Sequence, residues 1–276
     1  VEDRERNEGR AVLGPLAHKL SPVLAVVGGF GAGALPFSNL VARALRGVDL
    51  RQVGTGTVSG TGLFEVAGAG PLVVTGLFEV AKGAAGAALG RRHGPGVAAL
   101  AAAAAVAGHN WSPLLKGAGG RGISPALGAL LVAAPAGTGL LLAGLVAGKA
   151  AGETAVGCLV AYGLLVPVCR HYHGRPGAYA AGAVLVPLLA KRLMGNAPPQ
   201  GDRARAYLCR LLFDRDTLAK PPRLPASGGH RPTGTEEGPG GAGPGPGGAV
   251  PGPAEQGPAE RAALAQGGAG GREAVS

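Results

Sequence analysis

Apolar residues along this chain run in long unbroken blocks, without the alternating period of a half-buried strand. Leu20–Ala42 and Gly122–Gly148 carry no charge, and Gly94–Leu115 holds no Lys, Arg, Asp or Glu. Val66–Gly90 is interrupted by Glu79 and Lys82 alone. Two shorter blocks follow, Thr154–Cys169 and Gly177–Ala190, and the second lengthens if Lys191 and Arg192 extend their stems toward an interface. A helix needs about 20 apolar residues to cross a bilayer. Pro135, near the middle of Gly122–Gly148, makes that block one kinked helix or two short ones. The pattern predicts an all-α polytopic integral membrane protein with six or seven transmembrane helices.

The flanks set the domain plan. Residues 1–19 form a charged arm, 20–194 the transmembrane domain, 195–225 a basic juxtamembrane segment and 226–276 a tail. Ala32-Gly33-Ala34 resembles a leader cleavage site, but Glu2, Asp3, Glu5 and Glu8 make a poor leader head, so the first block reads as a span. Within Arg203–Ala219, Tyr207, Leu208, Leu211, Leu212 and Leu218 share one side, flanked by Arg203, Arg205, Arg210 and Arg215. That is the pattern of an amphipathic helix on an anionic leaflet. Residues 226–276 lack aromatics and are rich in Gly, Pro, Ala and Glu, so they read as disordered. Lys and Arg crowd Lys191–Arg223, which places the C-terminal side in the cytoplasm. With seven spans, the loops bearing Arg43, Arg46 and Arg51, and Lys116 and Arg121, fall there too.

Composition narrows the chemistry. Of 276 residues 46% are hydrophobic and 15% charged, against about 25% charged in a soluble domain, which argues against a soluble enzyme with one conventional core. The net charge of +10 calls for anionic partners, but 4% aromatics leave little to stack bases, so an anionic membrane surface or a phosphorylated substrate fits better than nucleic acid. Cys158, Cys169 and Cys209 show no metal-ligand spacing, and neither a metal site nor a cofactor is indicated.

Two glycine-rich loops border apolar blocks. Asp49–Gly62 contains Arg51, Gly54, Thr55, Gly56, Thr57 and Ser59; closely spaced glycines let backbone N–H groups converge on an anion, with hydroxyls as added donors. Lys116–Pro125 sets Arg121 among Gly119, Gly120 and Gly122, ahead of Ser124 and a long apolar block, an arrangement suited to a phosphate. Glu79 and Lys82, at i and i+3 inside an apolar block, are spaced to neutralise each other. His109 ends the block before the second loop. The repeat Thr61–Ala67 and Thr75–Ala81, whose copies an unbroken helix would nearly superpose on one face although Pro71 lies between them, is read as local duplication or chance.

The order of these features resembles the bacterial acyl-phosphate-dependent glycerol-3-phosphate acyltransferases, the PlsY type. The resemblance rests on Leu35-Pro36-Phe37, Asp49-Leu50-Arg51-Gln52-Val53-Gly54-Thr55-Gly56, Glu79-x-x-Lys82-Gly83, Gly108-His109 and Gly119-Gly120-Arg121-Gly122. It implies a plasma-membrane enzyme with cytoplasmic loops that moves an acyl group from acyl phosphate to the 1-hydroxyl of glycerol 3-phosphate, giving lysophosphatidic acid and phosphate. Arg51, Gly54, Thr55, Gly56, Thr57, Ser59, Gly119, Gly120, Gly122 and Ser124 would bind substrate phosphates. Lys82, His109 and Arg121 would serve catalysis, with His109 organising the second loop. Several positions depart from the family pattern: Thr57 and Glu65 stand where it has Asn and Arg, and Ile123-Ser124-Pro125 replaces Val-Ala-Thr. A small-solute or lipid transporter, or an inactive relative, are the alternatives.

Overall fold

The computed structural model describes residues 21–53, 56–199 and 201–216. The arm 1–19, the tail 226–276 and the loop residues Gly54 and Thr55 lie outside them. Every regular element among the described residues is helical. Helix α1 covers 21–34 and α2 covers Phe37–Arg46. Between them Pro36, without an N–H, interrupts the ladder. Among the described residues, Ser21–Arg46 is one of three stretches long and apolar enough to cross a membrane; Ala69–Arg91 and Thr154–Met194 are the others.

Helix α3 (Gly60–Ala67) and α4 (Ala69–Arg91) meet at Gly68, whose φ of 83° and ψ of −171° suit only glycine. The sequence repeat therefore falls on two helices and not on one face: Thr61–Ala67 in α3, Thr75–Ala81 in α4. After α5 (Pro95–Asn110), the apolar block around Pro135 resolves into two short helices, α6 (Ile123–Ala133) and α7 (Pro135–Ala150). The Thr138 hydroxyl donates to the Leu127 carbonyl at 3.0 Å, whereas a continuous helix would hold them about 16 Å apart. The chain has turned back on itself. It does so again within α8 (Thr154–Met194) at Gly174 (φ 64°, ψ −154°). A Cβ placed on Gly177 would strike the Cys169 carbonyl across that bend. Two antiparallel legs result, 154–173 and 175–194. Among the described residues, counting α1 with α2 and each leg of α8 separately, eight helical rods are present, the two-turn α3 among them, followed by α9 (Arg203–Phe213).

The buried core is made of small and branched residues, including Ala102, Val106, Ala129, Leu130, Leu165 and Val184. Large apolar side chains such as Val73, Leu77, Leu100, Val160 and Val186 point outward. The outward apolar face suits lipid, and a core of small residues lets helix backbones approach closely. Two such approaches frame the site. Gly83 of α4 lies against the Pro125 carbonyl of α6, and Gly108 of α5 against the Phe30 carbonyl of α1. Neither has room for a side chain.

Candidate active site

Where α1 breaks at Pro36, its last carbonyls have no helical partner. Ser112 fills one of these needs, donating its hydroxyl to Ala34 O at 2.6 Å, and Lys82 Nζ donates to Leu35 O at 2.8 Å. Lys82 also meets Glu79 Oε2 at 2.5 Å, one turn earlier on α4. His109, at the end of α5, brings Nδ1 to the same oxygen at 3.0 Å. The other oxygen, Oε1, accepts from the Ser38 hydroxyl at 3.3 Å and the Ser38 backbone N–H at 3.4 Å. Three helices, α2, α4 and α5, thus converge on one carboxylate that is 4% exposed. With Nδ1 facing Glu79, the imidazole turns Nε2 to the opposite side, where Gly120 sits. A small cavity lies there, lined by Leu35, Glu79, His109, Ser112, Gly119 and Gly120.

The two glycine-rich loops meet beside this cavity. Val58 N–H donates to Gly119 O at 3.2 Å, and Gly120 N–H donates to His109 O at 3.2 Å. Asn196, just past α8, joins both: its amide donates to Gly56 O and to Gly119 O, each at 3.0 Å. Its Oδ1 accepts from Lys191 Nζ at 2.5 Å and Gly119 N–H at 3.4 Å. Gly56 (φ 68°) and Gly122 (φ 77°) hold the left-handed turns that bring the loops together. Gly122 also starts α6, whose N-terminus has no side-chain cap.

The remaining sequence-predicted residues are distributed around this junction. Thr57 lies in the first loop. Ser59 caps α3, its hydroxyl accepting from Gly62 N–H at 3.3 Å. Ser124 occupies the first turn of α6. Arg51 is turned onto Asp49, with Nη2 at 2.6 Å and Nε at 3.0 Å, and Arg43 adds a contact at 2.9 Å. These guanidiniums, Arg51 foremost, hold the Asp49 carboxyl well below the usual carboxylate range, and Asp49 raises Arg51 in return. Gly54 and Thr55 lie outside the described residues. Arg121 forms an ion pair with Asp214, the residue that ends α9 in a left-handed turn.

That partner comes from a segment read in sequence as a surface helix. Arg210 turns inward, 5% exposed, and donates to the carbonyls of Leu193, Met194 and Ala197 at the end of α8. Arg192 reaches the opposite way, to Ala155 O at 2.6 Å and Leu212 O at 3.1 Å. Sequence reasoning missed Ser38, Ser112, Lys191, Asn196 and Asp214. For Ser38, Ser112 and Asn196 the usable signal was a neutral polar residue within or beside an apolar block.

These features define a polytopic helical membrane protein whose buried charge cluster and paired glycine loops share one edge of the bundle. The family model for glycerol-3-phosphate acyltransferase matches residues 23–196, and the chain belongs to that family. A glycerol-3-phosphate acyltransferase of Synechococcus sp. (strain JA-3-3Ab) is 40% identical over 116 residues, covering 42% of this chain and 57% of the relative. One from Moorella thermoacetica, 38% identical over 114 residues, is matched over 59% of its length. The chain thus spans under two thirds of those relatives. A relative from Synechococcus sp. (strain CC9902), 32% identical over 202 residues, is matched over 99% of its length and 68% of this chain. Among solved structures, PlsY, an integral membrane glycerol 3-phosphate acyltransferase in its glycerol 3-phosphate form, shares the fold with a TM-score of 0.57 at 21% identity, over 71% of this chain and 94% of that one.

Proposed function

We propose that this protein transfers an acyl group from acyl phosphate to the 1-hydroxyl of glycerol 3-phosphate, releasing lysophosphatidic acid and inorganic phosphate, in the plasma membrane. The observation that carries the reading is the junction of the Glu79–His109–Lys82 cluster with both glycine loops at one cavity. The curated relatives and the solved neighbour carry the name of this activity. The site-bearing loops and the segment after α8 lie on the cytoplasmic side, where Lys and Arg concentrate.

The chemistry asks for positioning and charge more than for a nucleophile. Acyl phosphate is already activated, so the acceptor hydroxyl attacks the carbonyl carbon directly; the new ester C–O bond forms as the bond to the leaving phosphate breaks. His109 Nε2, held in the correct tautomer by Glu79, takes the hydroxyl proton. Loop N–H groups, Thr57, Ser124, Arg51 and Arg121 hold phosphate oxygens, as do the loop residues Gly54 and Thr55. Lys82 offsets the Glu79 charge through their ion pair. Purified protein should release phosphate from an acyl phosphate faster when glycerol 3-phosphate is added. Release that ignores the acceptor would exclude the reading.

A further inference from the structure

Lys191 is 3% exposed on the second leg of α8. Among the described residues no carboxylate pairs with it. Its ammonium donates to Asn196 Oδ1 at 2.5 Å and stands 5.4 Å from the centre of the Trp111 ring. An ammonium has three N–H donors; the amide takes one. The neighbouring cations are differently placed. Lys82 ends on Glu79 and Leu35 O, Arg192 on backbone carbonyls, and Arg51 on Asp49. A buried charge without a counter-ion is costly, and such a cost is met when an anion arrives.

The position says which anion. Asn196, which holds the Lys191 ammonium, is the same residue that bonds Gly56 O and Gly119 O, so the charge stands where the two glycine loops meet. We propose that Lys191 is a phosphate-binding residue of this site and that Asn196 is the positioning residue that aims it. The assignment rests on the acyl-transfer reading for the identity of the phosphate, glycerol 3-phosphate or the acyl donor. Its chemistry, an ammonium offering free donors to phosphate oxygens, is the same for either. Asn196 then links phosphate capture to loop spacing.

The test uses the full chain in detergent. Inorganic phosphate and glycerol 3-phosphate affinities are measured by calorimetry, beside turnover and thermal midpoint, for Lys191→Met, Lys191→Arg and Asn196→Ala. Lys191→Met should weaken inorganic phosphate binding and raise KM for its phosphate substrate about tenfold or more, with kcat changed far less. Its thermal midpoint should hold or rise, because an uncompensated charge has been removed. Lys191→Arg should restore part of the affinity, and Asn196→Ala should fall between. A folded Lys191→Met protein that binds phosphate as the wild type does would overturn the assignment. So would wild-type protein that binds no phosphate. If Lys191→Met does not fold, Asn196→Ala decides, and unchanged phosphate affinity there overturns the proposal. Acceptor-independent turnover in a wild type that binds phosphate removes the acyl-transfer reading, and the binding comparison still decides Lys191.

Discussion

Glu79 is the residue on which the buried charges balance. Lys82 and His109 share one of its oxygens and Ser38 holds the other. Removing Lys82 as Lys82→Met leaves a carboxylate in a nearly dry site with His109 and the Ser38 donors but no fixed cation to answer it, a loss of about 3–5 kcal/mol. The double change Glu79→Gln/Lys82→Met should recover much of that stability while losing turnover. Thermal unfolding of both in the same detergent checks it, and equal midpoints would show that the two groups are not coupled. Asp49 makes a separate prediction about pH. Its folded-state pKa is depressed, chiefly by Arg51. Its contribution is therefore fully present above the unfolded value of about 3.9 and fades as pH falls below it. Asp49→Asn should flatten the acid limb of the stability profile, below about pH 4, and leave the profile above it parallel to wild type.

Breaks in helices decide where these residues meet. Gly174 turns α8 back with a backbone conformation open essentially to glycine. Gly174→Ala should cost about 1–3 kcal/mol, read as a lower thermal midpoint, and should disturb the contact between Ala136 N–H and His173 Nε2 beside the bend. The apolar blocks were legible because lipid demands unbroken hydrophobicity, and Pro135 announced its own break. Gly68 was harder to read: nothing in the sequence distinguishes a glycine at φ 83° from one inside a helix. The site divides in the same way. Glu79, Lys82 and Arg121 stand out as charges in apolar or glycine-rich settings, and His109 by its place at the end of a block. Asn196 and Ser112 look like ordinary polar residues until the bundle closes, for their partners Gly56 and Ala34 lie far away in sequence. Arg210 was read as facing lipid headgroups because one helix face cannot reveal that neighbouring carbonyls need a donor.

Taken as a whole, the molecule joins a membrane bundle of the family to a segment beyond its matched span, 197–216, and the two meet at the site through Arg121 and Asp214. A carboxylate on Arg121 neutralises part of the charge that a phosphate would use. Asp214→Asn should therefore lower KM for the phosphate substrate, whereas a purely structural pair would leave KM alone and reduce the thermal midpoint. Arg121→Gln should lose about 2 kcal/mol of transition-state stabilisation, roughly thirtyfold in rate. Arg121→Lys should keep part of the activity, since the charge survives without the planar fork. Truncation sorts the two contributions of the segment. Ending the chain after Asp216 preserves α9, Arg210 and Asp214, so folding and turnover should match the full chain. Ending it after Asn196 strips Arg210 from the carbonyls of Leu193 and Met194 and leaves Arg192 without the Leu212 carbonyl, so stability should fall even as Arg121 is released. If Asp214→Asn and the shorter truncation both leave KM unchanged, the ion pair serves only to dock α9 and does not compete with phosphate for Arg121.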